Sequence, residues 1–462
     1  MLQDYISGYA EKHGFSDYTE LRGQCNTQKR VVFLNGTMTA NSASASSGLS
    51  ARVVKNGAYG FASAAGYAPE AVAEVVAAAA DNARFLDAKE RLNRPGFGSA
   101  APVTRRDNLD CEDQTEPKEI IDFLAALDAY VAAHCPKLVS RYVAANCLGM
   151  EKLLRTSDGV FSHSITPRSI VSAVLTAEGE DGAPVELYEP FGAFGSFRQV
   201  FADPAALYEK IDALYEQLMQ KREGVYADAG CKQAILHPDL AGILAHEAVG
   251  HTVEADFVLS GSVGGPYFGK RVASELVTLV DYANTALGKR CPVPVYVDDE
   301  GTPAEDAVLI RDGILVGYMH NKESAAHFGH KPQGNARAFA FSDEPLIRMR
   351  NTCIVPGRDR LADMIASIDD GYYFTKTGNG QADATGEFMF GVNMGYEIKK
   401  GKLGRALRDT TISGVAFEVL KTVDMLSDDL SWSCAGMCGK KQMIPVGMGG
   451  PAVKVRINVG GR

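Results

Sequence analysis

The sequence lacks the long apolar runs, basic clusters and leader segment of proteins that enter membranes, bind nucleic acids or leave the cell. Its opening residues, MLQDYISGYAEKHG, have neither a basic start nor an apolar core, so no secretory signal is predicted. No apolar run reaches the ~20 residues of a membrane span. The nearest run, Ala71–Ala80, is interrupted by Glu74. With 47 basic and 57 acidic residues the net charge is −10, which argues against a nucleic-acid partner and an acidic membrane surface.

Cysteine is scarce: nine residues are scattered over 462 positions. An odd number at this low density is not a disulfide framework, so we expect free thiols in a reducing cytoplasm. The sequence also shows no repeat of fixed period, which argues against solenoids and propellers.

Glycine, in contrast, is abundant, with 47 of the 462 residues against a usual share of about 7%. The glycines are dense over 261–269, 378–391 and 447–461. The second half of the chain otherwise shows short strands and turns, so these glycines are not the signature of a flexible linker.

The periodicity predicts an α+β fold with two domains. The N-terminal domain, 1–223, is expected to hold two α/β units with antiparallel sheet, 1–93 and 118–223. They are joined by a linker over 94–117 that is rich in Pro, Gly, Asp and Arg. The C-terminal domain, 224–462, is predicted to be mostly antiparallel β-structure with one motif-bearing helix near its start.

Local signals place several elements in the N-terminal part. We expect a strand over Lys29–Met38 and a hairpin turn at Asn56-Gly57. Two helices are predicted, Pro69–Leu92 and Asp203–Glu223, the second with Asp203 as its N-cap.

The strongest chemical signal is the H-E-x-x-x-H motif formed by His246, Glu247 and His251. It resembles the H-E-x-x-H motif of zinc proteases but is one residue longer. In an α-helix, residues five apart lie about 140° apart, which splays two imidazoles. A π-bulge over Ala248–Gly250 would bring both to one ion, and Gly250 would make this distortion cheaper. The alternative is an ordinary helix with one exposed and one hydrogen-bonded core histidine.

A catalytic zinc ion needs a third protein ligand and an open position for water. The residue types alone leave the following candidates open: Glu254, Asp256, Glu275, His320, His327, His330, Cys434 and Cys438. A thiolate is an excellent zinc ligand, and the glycine and two lysines after Cys438 favour its ionisation. The commoner fate of a cysteine is a buried, inert thiol.

Several stretches of the C-terminal half, in a fixed order, resemble a known family. They are HEAVGHTVEADF (His246–Phe257), VDDEGTPAE (Val297–Glu305), GNARAFAF (Gly334–Phe341), RMRNTCI (Arg348–Ile354), GNGQADATGEFMFGV (Gly378–Val392) and MCGKKQMIPVGMGGPAVKV (Met437–Val455). The family is the TldD/PmbA group of bacterial and archaeal zinc metallopeptidases, once called modulators of DNA gyrase. The N-terminal units fit the family's order, so the resemblance extends over the whole chain. Ala338-Phe339-Ala340 departs from it, because family members often have a more polar run there.

The resemblance implies a TldD-like, active subunit, because the motif is intact. It implies that zinc is bound by His246, His251 and Cys438, rather than Cys434. Zinc would lower the pKa of a bound water, and Glu247 would act as general base and pass the proton to the leaving amine. His320, His327, His330 and Arg337 are weak candidates for stabilising the oxyanion; each is more easily explained as a hydrogen-bonded or surface residue.

The resemblance further implies a dimer around an internal cavity, either a homodimer or a heterodimer with a TldE/PmbA-like paralogue. The expected substrate is an unstructured or small peptide, with no nucleic-acid or membrane partner. A peptide added as a β-strand would tolerate many sequences, and 378–391 is a candidate edge for it. Two other functions stay open: a non-catalytic assembly or regulatory partner, which has no need of Glu247, and a zinc amidohydrolase acting on small non-peptide amides.

Overall fold

The first half of the chain folds around one seven-stranded sheet. The computed structural model describes residues 6, 15, 17–90, 101–179 and 181–461. The strands of this half are β1 (Tyr18–Leu34), β2 (Thr37–Lys55), β3 (Ala58–Ala65), β4 (Thr104–Asp107), β5 (Leu138–Thr156), β6 (Phe161–Glu178) and β7 (Pro184–Phe194). Its helices are α1 (Pro69–Glu90), α2 (Pro117–His134), α3 (Phe197–Val200) and α4 (Tyr208–Arg222). The strand order is β3-β2-β1-β5-β6, with β4 and β7 both paired to β6.

Helices cover one face of this sheet, because their apolar residues recur at helical spacing. Val72, Val75 and Ala79 of α1 pack on β1 and β2. Helices α2 and α4 cover the other end of the same face. At Gly60 in β3 an added Cβ would lie 1.9 Å from the Ala79 carbonyl oxygen, so glycine is what lets α1 approach this closely.

The hairpin turn predicted at Asn56-Gly57 is confirmed, with φ of 49° and 82° between β2 and β3. The single strand predicted over Lys29–Met38 is wrong. Asn35 and Gly36, with φ of 49° and 85°, form a second two-residue turn that ends β1 and starts β2. An Asn-Gly pair inside a β-branched run was therefore the stronger signal.

The helix predicted from Pro69 is present, and residues 91 and 92 of that prediction lie outside the described residues. The predicted helix Asp203–Glu223 is divided into a 3₁₀ turn, Pro204–Leu207, and α4. The Asp203 carboxylate accepts a hydrogen bond from the Ala205 N–H at 2.9 Å, as expected of an N-cap.

The predicted linker, 94–117, contains more structure than its composition indicates. Residues 94–100 lie outside the described residues, but residues 104–107 form β4, which pairs in parallel with β6. Because β1 also pairs with β5, both predicted N-terminal units contribute to one sheet. The division into domains 1–223 and 224–462 stays a prediction.

The second half of the described chain is built on a six-stranded sheet, a seven-stranded sheet and three two-stranded ribbons. Its strands are β8 (Gly230–Leu236), β9 (Leu279–Tyr282), β10 (Thr285–Ala286), β11 (Lys289–Arg290), β12 (Ala307–Arg311), β13 (Ile314–Leu315), β14 (Ala336–Arg337), β15 (Leu346–Ile347), β16 (Asn351–Ile354), β17 (Asp370–Ala382), β18 (Glu387–Lys399), β19 (Lys402–Leu407), β20 (Thr410–Val415), β21 (Met425–Leu426), β22 (Ser431–Ser433), β23 (Met437–Lys440), β24 (Gln442–Pro445), β25 (Gly447–Gly450) and β26 (Val453–Val459). Its α-helices are α5 (Pro238–Ile243), α6 (Ala255–Leu259), α7 (Lys322–Phe328), α8 (Leu361–Ala366) and α9 (Ala416–Lys421).

The α+β fold class, with a mostly antiparallel C-terminal part, is confirmed. Among the described strands of this half, the parallel pairs are β8–β17 and β16–β25. Strand β8 lies between β17 and β26 and leads directly into α5 and the motif helix. No described helix combines the length and the apolar character needed to cross a membrane.

A buried ionic cluster joins the N-terminal sheet to the second half of the chain. Arg52 of β2 donates to Glu20 of β1 at 2.8 Å and to Glu300 at 2.6 Å, and all three side chains are almost fully buried. Glu300 also accepts the Lys322 N–H at 2.8 Å. One guanidinium therefore neutralises a carboxylate from each half.

The segment Ala338-Phe339-Ala340 is held to the N-terminal sheet mainly through its backbone. Gln24 and Asn26 donate to the Phe339 carbonyl at 2.5 and 2.6 Å, and Lys152 donates to the Ala338 carbonyl at 2.7 Å. Because backbone atoms make these contacts, side chains in this segment can vary without losing them.

Replacing Arg52 with Met should lower the free energy of unfolding by about 3–5 kcal/mol, because two buried carboxylates would lose their counter-ion. Urea-induced unfolding measures this change. Lys118→Met is the matched control, because its exposed partner Asp122 stays solvated. A loss for Arg52→Met no larger than that of the control would contradict the assignment.

Candidate metal centre

The first motif histidine, His246, lies on a π-helix, Leu244–Gly250, and His251 follows directly at its C-terminal end; this is the wide turn expected if both are to bind one ion. The His251 N–H donates to the His246 carbonyl, which is the i to i+5 hydrogen bond of a π-helix. This bond places the two residues one turn apart on one side of the helix. Their ring centroids are 5.3 Å apart.

Gly250 serves a different purpose from the one expected. Its φ and ψ of −52° and −51° are ordinary helical values that any residue adopts. An added Cβ would lie 2.1 Å from the Met349 Sδ, so the glycine allows the helix to pack directly against Met349. Close packing, rather than backbone freedom, requires glycine here.

Cys438 completes the group from a distant part of the chain. One ligand atom each from His246, His251 and Cys438 lie within 4.8 Å of one another. The Cys438 Sγ is 3.4 Å from the His251 Nε2. Among the described residues, this is the one group of three or more His, Cys, Asp or Glu side chains close enough to hold a single ion.

The chemistry of these three side chains fits a zinc ion. His246 is fully buried, and neither of its ring nitrogens has a hydrogen-bond partner among the described residues. A buried polar atom without a partner is costly, and a metal ion would satisfy one of these nitrogens. Two imidazoles and one thiolate form a typical donor set for zinc, with a fourth position left for water or substrate.

The electrostatics of the cluster favour ionised cysteine. Burial raises the pKa of the Cys438 thiol, but the His246 and His251 imidazoles outweigh burial and lower it to about 4. Burial lowers the pKa of His251, but the Glu254 carboxylate and Cys438 raise it to about 10. The thiol is thus held as a thiolate, the form that binds metals.

Glu247 lies beside the cluster on its more open side. Its carboxylate oxygens are 3.9 Å from the His246 Nε2 and 3.6 Å from the His251 Nε2. Its side chain is 29% exposed, whereas that of His246 is 0% exposed. A carboxylate at this position can receive a proton from a water near the histidines.

Two of the candidate third ligands support the cluster instead of joining it. Glu254 accepts a hydrogen bond from the His251 Nδ1 at 2.8 Å, which directs Nε2 toward Cys438. Lys440 reaches Glu254 at 3.3 Å and Asp256 at 2.6 Å. Glu254 was an attractive ligand candidate by spacing, but its side chain lies behind the imidazole.

The remaining candidates lie elsewhere among the described residues. His320 contacts His330 at 3.0 Å and Ser324 at 3.1 Å, and its pKa is lowered to about 4 by burial and by His330. Glu275 and His327 are not in the ligand group, and Cys434 contacts the Pro190 carbonyl.

The sequence analysis did not predict the arginine hydrogen bonds that hold the ribbon carrying Cys438. The ribbon of β23 and β24 pairs only with itself among the described strands. Arg348, fully buried, donates to the carbonyls of Cys438 at 2.7 Å, Lys440 at 3.2 Å and Gln442 at 2.9 Å. Arg337 donates to the Pro445 carbonyl at 2.9 Å, so it anchors the end of the ribbon instead of facing the cluster. The only sequence signal was an arginine between apolar neighbours.

Two family models and several known proteins match this chain. The family model "PmbA/TldA metallopeptidase C-terminal domain" matches residues 230–461, and "PmbA/TldA metallopeptidase domain 1" matches residues 19–83. A "Metalloprotease TldD homolog" from Haemophilus influenzae is 30% identical over 465 residues, covering 97% of this chain and 94% of the relative. A "Zinc metalloprotease TldD homolog" from Saccharolobus solfataricus is 35% identical over 250 residues, covering 54% and 56%.

The fold is also similar to a solved structure. TldE from Thermococcus kodakarensis superimposes with a TM-score of 0.79 at 18% identity, over 100% of both chains. At this identity the likeness concerns the fold alone. The family models and the full-length relative show more: the chain belongs to the PmbA/TldD family of metallopeptidases.

Proposed function

We propose that this chain is a zinc-dependent metallopeptidase that hydrolyses unstructured or small peptides. The observation that carries the proposal is the convergence of His246, His251 and Cys438 within 4.8 Å, with Glu247 beside them. A non-catalytic partner would need neither the partly exposed carboxylate nor the unpartnered nitrogens of His246.

Zinc is the favoured ion because the donor set is two imidazoles and a thiolate. The printed name of the Saccharolobus relative also includes zinc. When bound, zinc supplies Lewis-acid chemistry, polarising a carbonyl oxygen and making a water more acidic.

The chain's own residues supply the proton transfer and the alignment. Glu247 accepts a proton from the attacking water and returns it to the leaving amine nitrogen. Glu254 holds the His251 ring in one orientation through Nδ1, and Lys440 in turn holds Glu254. Burial of His246 and Cys438 keeps bulk water from the inner side of the cluster.

The substrate proposal is an extended peptide. The β17–β18 hairpin turn lies against the segment that follows the motif helix and α6, where the Val263 N–H donates to the Ala384 carbonyl at 2.9 Å. Residues 380–382 of β17 pair with β18 only, whereas their partners, residues 388–390 of β18, pair with both β17 and β20. The open edge in the 378–391 segment is therefore that of β17, and an added strand would bind there.

We also propose that the chain works as a homodimer or with a TldE/PmbA-like paralogue, in a reducing compartment such as the cytoplasm. The nine cysteines, all described and all free of disulfides, support the second part. Size-exclusion chromatography with light scattering tests the first.

Replacing Glu247 with Gln should lower kcat for an unstructured peptide by about 10²–10⁴-fold, because the proton acceptor is lost. Zinc content should stay at the wild-type level, since the three ligands are unchanged. Peptide cleavage followed by mass spectrometry, with metal analysis of the same samples, measures both.

Full peptide cleavage by Glu247→Gln would exclude this carboxylate as the base. A wild-type protein that binds zinc but cleaves no peptide would favour the assembly-partner function. Cleavage confined to small non-peptide amides would favour the amidohydrolase.

Cys438→Ser should weaken zinc binding by more than about 100-fold, because loss of supporting contacts alone costs 10–100-fold. Cys434→Ser is the matched control, four positions earlier and outside the cluster, and should bind zinc normally. Competition with a chromogenic chelator measures the affinity. Equal losses in both variants would refute the assignment of the third ligand.

Arg348→Lys should disturb cysteine ligation, because one ammonium cannot replace the guanidinium contacts to three carbonyls. We expect zinc affinity to fall about 10-fold or more and the thiolate-to-cobalt absorption of the cobalt-substituted protein to weaken. Arg350→Lys is the control, since Arg350 is equally buried but binds Asp281 instead of the ribbon. If both variants showed the same spectral change, the effect would reflect a general loss of packing, and the specific role of Arg348 in supporting Cys438 would be refuted.

A further inference from the structure

The face of the N-terminal sheet opposite its helices is only partly covered. Over the rows that contain Arg22, Gln24 and Asn26, it packs against the segment around Phe339. Beyond Asn26 the sheet and the second half of the chain diverge and leave a groove of about 240 Å³.

The floor of this groove is two cross-strand rows of four adjacent strands. Register pairs Ser42 with Arg30 and Arg30 with Asn146, and likewise Ser44 with Gln28 and Leu148 with Arg168. Because alternate residues share a face, these side chains point into the same space. Phe339 and Met437 line the opposite wall.

The groove carries positive charge without any acid. Its floor presents Arg30 and Arg168, and no Asp or Glu is among the described residues that line it. The protein as a whole has 57 acidic residues and a net charge of −10, so an acid-free basic groove runs against its composition.

Neither arginine has a carboxylate partner among the described residues. Arg168 donates to the Gly436 carbonyl at 2.9 Å and contacts the Met437 Sδ at 3.1 Å. Within the described part of the chain, the Arg30 side chain donates one hydrogen bond, to the Tyr142 hydroxyl at 3.4 Å. Burial lowers the pKa of Arg168, so its charge is held at a cost that an anion would relieve.

The position of the groove connects it to the metal centre. Arg168 contacts Gly436 and Met437, the two residues before Cys438. Successive side chains of β23 alternate, so Met437 faces the groove while Cys438 faces the histidines. The groove and the metal cluster therefore lie on opposite faces of one strand.

We infer that this groove is an accessory docking site for the peptide substrate and binds a carboxylate of that peptide between Arg30 and Arg168. The arginines stand two strands apart, about 10 Å across the sheet. Their planar guanidinium groups suit carboxylate oxygens. The Asn146 amide between them, and the Gln28 amide and the Ser42 and Ser44 hydroxyls beside Arg30, suit peptide backbone. The inference rests on the proposed peptidase function for the identity of the ligand.

Because the groove lies behind the ligand-bearing strand, it acts on substrate capture and not on the bond-breaking step. A peptide must pass around β23 to occupy both places. The site should therefore lower KM for acidic peptides long enough to span them and leave kcat unchanged.

The binding test uses the full chain as Glu247→Gln, so that peptides persist, and fluorescence anisotropy of labelled, unstructured Ala/Ser peptides. One peptide has a free C-terminus, one is amidated, one is amidated with added Glu, and one is amidated with added Lys. We expect the peptides with a carboxylate to bind about 10-fold tighter than the Lys peptide, and the difference to shrink as salt is raised.

Arg30→Gln and Arg168→Gln, each added to this chain, should each weaken binding of the carboxylate peptides about 5- to 10-fold. Arg84→Gln is the charge-matched control, on α1 at the other face of the sheet, and should bind like its parent. Arg30 makes no contact with the ribbon, so its variant keeps the test valid if Arg168→Gln shifts Met437.

Tight binding of the free C-terminus alone identifies the peptide end as the ligand, and tight binding of the Glu peptide identifies acidic side chains; both support the site. Binding of both carboxylate peptides no tighter than that of the Lys peptide, or equal losses in Arg30→Gln and Arg84→Gln, would overturn it. If peptides bind in an arginine-dependent way but the wild type does not cleave them, the groove stands as a binding site and the peptidase function is refuted. Peptide cleavage by the wild type with a KM that is unchanged in Arg30→Gln would refute the docking groove and leave the peptidase function standing.

Discussion

The hydrogen bond from the His251 N–H to the His246 carbonyl is the constraint on which the candidate metal centre depends. It closes one wide helical turn and brings two imidazoles five residues apart to the same side. In a regular α-helix the same residues would diverge by about 140°. The wide turn is rare, and here tight packing of Gly250 on Met349 and the following 3₁₀ turn, His251–Val253, hold it in place.

The position of Cys438, the third candidate ligand, depends on contacts that extend back to the N-terminal sheet. Gln24 and Asn26 fix the Phe339 carbonyl, and the Phe339 N–H donates to Gln442 at 2.7 Å. Gln442 belongs to the β23–β24 ribbon that carries Cys438. Arg348 donates hydrogen bonds to three carbonyls of this ribbon. A sheet that contributes no ligand thus sets the position of one.

Much of the site was predictable, because its chemistry is local in sequence or stands in a recognisable block. The motif spacing predicted a π-bulge on the condition that both histidines bind one ion, and the family resemblance of the block after Cys438 favoured it over Cys434. Supporting contacts were not predictable, because their partners are far apart in sequence. Arg348 and Cys438 are 90 positions apart, and nothing in either segment indicates that they meet. Glu254 had the right chemistry for a ligand, and only the direction of its side chain shows that it orients His251.

The topology also determines when this centre can come into being. Strand β8, which leads into the motif helix, has β26 as one neighbour, and Cys438 reaches His251 across 187 positions. A nascent chain that has produced the histidines therefore has neither the thiolate nor the strand that supports them. The three candidate ligands can therefore meet only after Cys438 has been synthesised, and β8 gains this neighbour only once the chain extends to residue 459.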